Sequence, residues 1–569
     1  MTVVPDAGRP TVGMTTRWGG LSGVSRFLTS NPRRLIDWTV VVLVVVYTFV
    51  LMPGLTRWPP LINDEGREAN LFWEASGADP DAERMNAYRG FSTWGNGGLQ
   101  GATAAVIFRL GGVGVFQARL TSLLWGGLLL LVVYWVGRRY WSRSVGLAAA
   151  VMFAVSNPFL VATHTLRPDV QVVTMILGAL LLAERALDAK RRRAWLLAFL
   201  AGLLLALVVD THPNGMAFFP LVGLVFPLRQ GWRAFLRRRE VWYFAAGMVA
   251  AALYYLSVRF LPDPAGFTAA LGYWVGVDKA LPAARASGES GGILAKLGGM
   301  IVSEGLRYQD YFGEEPLELL AVLLGLAGGV WMAVRGSHPA RLMLLGLLFA
   351  AAFFVVAVST KSKYYMLLTY PYYLLLLAAT LAAVANWLAT RLGRAVVGVE
   401  RASVGRTAPA TLGGLLRAPA TLAAAILAVM VLAVVVWPMK VEERAWDNYI
   451  QARRYREGQE YLQLTARLSE LAGPGARILA PPVYWIGLKD HPFSDIFVYE
   501  RVERQYGMTA AQYLDEIKPD LVITDAKIAT DRRVERLLYD ELDSRARYEL
   551  VVRHKNYGDV AVYRLRRTP

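Results

Sequence analysis

Four short polar stretches in an otherwise apolar chain hold the side chains equipped for chemistry. The first is Leu61-Ile62-Asn63-Asp64-Glu65-Gly66-Arg67-Glu68. Asn63 is placed to cap a helix running to about Ala75, which sets Asp64 and Glu65 in the first turn, where the helix dipole favours ionised carboxylates. The second, His164-Thr165-Leu166-Arg167-Pro168-Asp169, puts an imidazole, a guanidinium and a carboxylate close together. The third, Asp210-Thr211-His212-Pro213-Asn214-Gly215, breaks an apolar stretch, and irregular backbone at such depth is tolerated where protein or a water-filled cavity satisfies it. The fourth, Ser359-Thr360-Lys361-Ser362-Lys363-Tyr364-Tyr365, carries two of the chain's ten lysines and runs into Tyr370-Pro371-Tyr372. Singly, each has an ordinary reading: helix-start acidity, an anchoring pair, a tight turn, a snorkelling anchor. Together they suit displacement of an anionic leaving group, since a carboxylate can activate a hydroxyl while cations stabilise a departing phosphate. A further match, Asp79-Pro80-Asp81, has the D-x-D spacing of a metal site, but a proline-centred turn accounts for it better.

The elements that must position these residues are membrane spans. Of 569 residues, 55% are hydrophobic and only 18% charged, with mean hydropathy +0.35, against about 25% charged in a soluble chain. This excludes a soluble enzyme, a disordered protein and a secreted disulfide scaffold. With no cysteine there is no Cys-ligated zinc and no thiol catalysis. Eleven apolar stretches are candidates to cross the bilayer: 36–55, 118–137, 145–163, 170–187, 194–211, 215–229, 241–261, 316–335, 342–359, 365–388 and 419–438. Arginines precede the first without a signal-peptide cleavage pattern, so it reads as a retained span.

The formal net charge of +17 raises the question of nucleic acid, but its distribution answers it. Alternate connections with the N-terminal tail hold a net +20, the rest of the membrane portion −4, and the tail from 439 onward +1. That alternation is a positive-inside signature, with an inside N-terminus and all four polar stretches outside. After Trp437-Pro438 the chain becomes polar: a helical period over 441–472, strand-like runs at Ala476–Ala480, Leu521–Thr524, Tyr548–Val552 and Val560–Tyr563, and helical spacing over 509–517 and 530–543. The expectation is a polytopic α-helical membrane protein of about eleven spans with a C-terminal extracytoplasmic α/β domain. Its parts are a cytoplasmic tail (1–35), a membrane domain (36–438) with outward loops at 56–117 and 262–315, and the external domain (439–569).

In order and sidedness, Asp64-Glu65 after the first span, Asp169 after the third, and Lys361-Ser362-Lys363-Tyr364-Tyr365 leading into Tyr370-Pro371 resemble the GT-C superfamily of membrane glycosyltransferases. Within it they are most similar to the branch of protein O-mannosyltransferases and the aminoarabinose transferases that modify lipid A. The resemblance spans roughly 36–388. It implies a polyprenyl- or dolichyl-phosphate sugar donor and inverting transfer to the hydroxyl of a lipid, glycan or protein acceptor. Asp64 matches the general base, Glu65 its neighbour and Asp169 a second acid of the cavity. Lys361 and Lys363, with Tyr364, match the late segment that holds the donor phosphate. Arg167 and His212 join the phosphate group from their sidedness alone. The branch implies no catalytic metal, whereas oligosaccharyltransferases of the same superfamily use one; Asp64, Asp169, His164 and His212 leave a divalent cation open. Two departures stand out. Trp94-Gly95-Asn96-Gly97-Gly98-Leu99 replaces a Lys-Pro-Pro-Leu-like segment, and His212-Pro213-Asn214-Gly215 replaces a Lys-Gly pair.

Two other classes compete. A lipid-linked sugar flippase or transporter would show inverted repeats or mid-membrane charges, and a non-catalytic envelope scaffold leaves the outward acids and lysines unexplained. The Ala-, Leu- and Arg-rich composition without cysteine fits a bacterial cytoplasmic membrane, with membrane lipids and no nucleic acid as partners.

Overall fold

A computed structural model describes residues 32–76, 98–268, 293–358, 362–403, 457–499, 502–503, 507–529 and 541–566, short of single positions within them. The chain is a multi-pass membrane protein. Helices α1 (Pro32–Leu51), α2 (Asn63–Ser76) and α3 (Gly98–Gly111) precede the long α4 (Val115–Tyr140). Then come α5 (Arg143–Ala154), α6 (Asn157–Thr163), α7 (Asp169–Asp188), α8 (Arg191–Thr211), α9 (Phe219–Gln230) and α10 (Arg239–Tyr255). The bundle closes with α11 (Ile293–Glu314), α12 (Pro316–Val334), α13 (His338–Ala357) and α14 (Met366–Ser403).

Among the described residues, six helices are long and apolar enough to cross a bilayer, and α5 with α6 makes a seventh candidate bent by 66°. The bend falls at Ser156-Asn157-Pro158, where proline cannot continue a helix. The freed Asn157 amide donates to Glu318 Oε1 at 3.1 Å. The eleven expected crossings thus resolve less evenly. Those at 36–55 and 316–335 fall on shorter apolar helices. The stretch 215–229 is split between a 3₁₀ turn (Pro213–Phe218) and α9. The stretch 419–438 and Asp79-Pro80-Asp81 lie outside the described residues.

Small residues let the spans touch. A Cβ on Gly202 of α8 would stand 1.9 Å from Phe244 O of α10, and one on Gly247 would stand 2.0 Å from Phe199 O, so the two glycines form a reciprocal seam. Large apolar side chains left exposed on α1 and α10, such as Val42, Phe49, Trp242 and Leu253, form the lipid-facing surface. Arginines collect at one end of the bundle. There Arg139 and Arg229 bridge Glu184 and Asp188 around a cavity of about 360 Å³ that His338 also lines.

After α15 (Glu457–Ala472) comes a five-stranded sheet of order β2-β1-β3-β5-β4. Its strands are β1 (Ile478–Ala480), β2 (Phe493–Asp495), β3 (Leu521–Thr524), β4 (Ala546–His554) and β5 (Gly558–Leu565). The first three are parallel and the last two antiparallel. Helix α16 (Ala510–Ile517) opens with a capping box, Thr509 and Gln512 satisfying each other's amides. The strand-like runs read from sequence all fall on strands; β2, in His491-Pro492-Phe493-Ser494-Asp495, is too short to show a period. Most of 530–543 lies outside the described residues.

Candidate active site

Helix α2 carries the first acids. The expected Asn63 cap does not form: the helix starts at Asn63, whose Oδ1 instead accepts from the Val483 amide at 3.3 Å. The reach-back to the helix start comes from Glu65, whose Oε2 accepts from the Ile62 amide at 3.2 Å. Glu65 is fully buried. Its carboxylate takes a fork from Arg119 (2.7 and 2.9 Å) and the Leu166 amide (3.0 Å). Grouped with the catalytic acids in sequence, Glu65 is committed on both oxygens and does not reach the open face; it ties α2 to α4 and to the loop bearing Arg167.

That loop aims Arg167 back at α2. Arg167 Nη1 donates to Asp64 Oδ2 at 2.5 Å and Nε to Asp169 Oδ2 at 2.8 Å, and its guanidinium lies over the Tyr364 ring, 4.7 Å from the centroid. Asp169 is buried, while half of the Asp64 side chain remains accessible. His212 ends α8. Its Nδ1 accepts from the Asn214 amide at 3.2 Å, leaving the ring proton on Nε2, and its ring meets Tyr365 edge-on at 5.8 Å. Burial, partly offset by Asp169, holds the His212 pKa below the usual imidazole value, so it is a neutral donor. Burial raises the Tyr365 hydroxyl to about 12. Among the described residues, Asp169 Oδ1 and Asn214 Nδ2 are buried without a hydrogen-bond partner, an arrangement suited to a polar ligand.

The fold therefore brings Asp64, Arg167, Asp169, His212 and Tyr364 to one end of the bundle, opposite the Arg139–Arg229 end, with Glu65 just beneath. Lys361 lies outside the described residues; Lys363 has described backbone only, opening a 3₁₀ turn (Lys363–Tyr365). His164 stands apart, fully buried with Nδ1 donating to Leu160 O at 2.8 Å and its ring against Trp58.

Sequence reasoning missed three residues. Glu68 lies one turn beyond Asp64; burial first, then the Asp64 charge, lift its carboxyl to about 8, against the pull of Arg67 and Arg167. Its i+4 spacing was the available signal. Arg119 hid inside an apolar span. Arg307 of α11 is buried, paired with Glu304 and packed against Tyr308 and Phe354, and Phe354 in turn stacks on Tyr365.

As for a metal, among the described residues no group of three or more His, Asp or Glu side chains is placed to hold one. The Arg167 guanidinium bridges Asp64 and Asp169 and supplies the positive charge between them.

This geometry can be set beside known proteins. A family model described as dolichyl-phosphate-mannose-protein mannosyltransferase matches residues 100–262. The structure of ArnT from Cupriavidus metallidurans bound to undecaprenyl phosphate superposes with TM-score 0.57 at 17% identity, covering 93% of this chain and 97% of that one. The fold is that of the GT-C membrane glycosyltransferases. The GT-C architecture expected from the motifs is therefore the fold observed. Apo ArnT matches with TM-score 0.53 at 16% identity over 92% of this chain and 97% of its own. An Archaeoglobus fulgidus oligosaccharyltransferase, in complex with Zn and sulfate, matches with TM-score 0.51 at 13% identity, covering 92% of this chain and 72% of that one. No curated protein sequence matches this chain.

Proposed function

We propose that this GT-C-fold protein transfers a sugar from a polyprenyl-phosphate donor to an acceptor hydroxyl, with inversion, on the extracytoplasmic side of a bacterial cytoplasmic membrane. The observation that carries the reading is the exposed Asp64 carboxylate beside the buried Arg167–Asp169 pair, at the end of the bundle away from the arginine-rich end. The fold shared with an undecaprenyl-phosphate-bound protein supports a lipid-phosphate donor.

In this mechanism Asp64 takes the acceptor hydroxyl proton and the oxygen attacks the anomeric carbon. The bond from that carbon to the phosphate oxygen breaks, and polyprenyl phosphate leaves with the electron pair. Lys361, Lys363 and the buried Arg307 supply cations for the phosphate, and Tyr364 lies beside the two lysines in sequence. Asp169 holds Arg167 in place, and neutral His212 offers an Nε2 proton to the ligand. The reading assigns no step to a resident metal. It keeps 36–438 as the catalytic membrane domain and 439–569 as an extracytoplasmic domain, with the N-terminus cytoplasmic.

The test is transfer by purified protein from a panel of polyprenyl-phosphate sugars. Asp64→Asn is predicted to cut turnover by at least about 10²-fold, the lower end for a lost general base, while donor binding persists. Wild-type turnover by a normally folded Asp64→Asn protein would remove Asp64 from this role. Tight donor binding by the wild type with no transfer to any acceptor tested would favour a transporter.

A further inference from the structure

Helix α2 turns by roughly 100° per residue, which sorts its side chains into three strips. Glu65, Ala69, Phe72 and Ser76 are buried on the bundle side, where the Arg119 fork holds Glu65. Asn63, Gly66, Arg67 and Asn70 share the opposite side, and three of them meet the C-terminal α/β unit. Asn63 accepts from the Val483 amide. Gly66 lies so close to Pro482 that a Cβ would stand 1.8 Å from its carbonyl oxygen. Arg67 donates to Asp495 Oδ2 through Nη2 at 2.8 Å and Nε at 3.2 Å. The third strip, between these two, is Asp64 and Glu68.

The Arg67–Asp495 pair differs from an ordinary surface ion pair, which contributes little. Asp495 ends β2, is 1% exposed, and has its other oxygen fixed by the Phe497 amide at 2.8 Å. Leu61, Ala69 and Phe72 share one apolar core with Tyr461, Val483, Tyr484 and Trp485, so the two units are packed as one body at this point. Tyr557, before β5, packs against the same core.

We propose that the C-terminal α/β unit is part of the frame of the active centre: through the Asp495–Arg67 pair and the Pro482–Gly66 seat it fixes the roll of α2 and hence the aim of Asp64, making Arg67 and Asp495 positioning residues. The inference rests on the proposed role of Asp64 as base. Side chains project about 5–6 Å from a helix axis, so a roll of about 20° moves the Asp64 carboxylate by roughly 2 Å. A misplacement of about 1 Å can cost on the order of 10²-fold in rate.

The experiment uses the full chain in nanodiscs, with Asp495→Asn (near-isosteric), Arg67→Ala and the double variant. The expected result is a loss in kcat of about 10- to 100-fold with the KM for the polyprenyl-phosphate donor within about twofold. The double variant should be no worse than the worse single, as for two residues acting through one contact. Amide exchange over 63–72 should rise in Asp495→Asn while 169–188 keeps its protection. A loss carried by KM, additive effects of the two changes, or unchanged exchange over 63–72 would overturn the proposal. A wild type that transfers no sugar would refute the functional reading alone, because the exchange measurement still reports whether Asp495 holds α2.

Discussion

The buried Glu65–Arg119 pair permits a prediction in which the sign of one substitution depends on another. Both side chains are essentially unexposed, and Glu65 accepts two bonds from Arg119 and one each from the Leu166 and Ile62 amides. Arg119→Met strands a carboxylate with two backbone donors, and breaking a buried pair by removing one partner costs about 3–5 kcal/mol. Glu65→Gln in the wild-type background is also destabilising, because an amide NH₂ is forced to face a guanidinium that then lacks its counter-charge. In the Arg119→Met background the same Glu65→Gln change removes an uncompensated buried charge while Oε1 still accepts from Leu166, so it recovers part of the loss. The coupling should reach the upper part of the roughly 0.5–3 kcal/mol found for residues in contact. Equilibrium unfolding of the four proteins in mixed micelles measures it. Turnover should fall in all three variants, since the loop that aims Arg167 loses its tether. If Glu65→Gln had the same sign and size in both backgrounds, the pair would not be the buried, mutually dependent ion pair described here.

Three further outcomes follow from the same geometry. With the Glu68 carboxyl raised from 4.5 to about 8, the folded state holds a proton that the unfolded state has lost between those values. Its contribution to stability is therefore full below about pH 4.5 and declines up to about pH 8; the difference between wild type and Glu68→Gln, measured across that window, should show this slope. Gly202→Val should open the α8–α10 seam, where a Cβ would stand 1.9 Å from Phe244 O, and lower the thermal midpoint in detergent; Gly223→Val, with open space around it, is the matched control. Gly66→Val should unseat the C-terminal unit from α2, seen as proteolytic release of a fragment beginning near 457 that the wild type resists.

Much of the site was legible because polar groups are costly in an apolar chain and therefore few. Asp64, Arg167, Asp169, His212 and Tyr364 stood out as the exceptions, and sidedness grouped them before any contact was known. Residues whose meaning depends on a partner were not legible. Arg119 looks like one cation in a span until Glu65 is placed opposite it. Gly66 looks like any helix glycine until Pro482, far along the chain, is brought against it. The eleven spans were over-regular for a related reason: hydropathy counts apolar residues and does not see that Pro158 bends one stretch and that His212-Pro213 unwinds another. The strand-like runs survived because their apolar residues are buried in one sheet, whereas β2 at three residues is defined only by its pairing with β1.

The charge balance around Asp64 revises the sequence grouping of Arg167 with the phosphate-binding cations. Arg167 faces Asp64 and Asp169 at once through two different nitrogens, and Glu68, held protonated at neutral pH, adds no charge. Among the described side chains here, two carboxylates and one guanidinium sum to a net negative charge, which favours cations other than Arg167 as the source of donor affinity. Lys361, Lys363 and Arg307 are the candidates, and Arg167 instead sets where Asp64 points. The two roles separate kinetically. Arg167→Lys keeps the charge but loses the planar fork that spans two carboxylates. It should lower kcat with little change in donor KM, whereas Lys361→Gln or Lys363→Gln should raise donor KM, steady-state kinetics with a polyprenyl-phosphate sugar being the measurement. If Arg167→Lys weakened donor binding as much as the lysine substitutions do, Arg167 would belong with the phosphate after all, and Asp64 would have to be aimed by α2 alone.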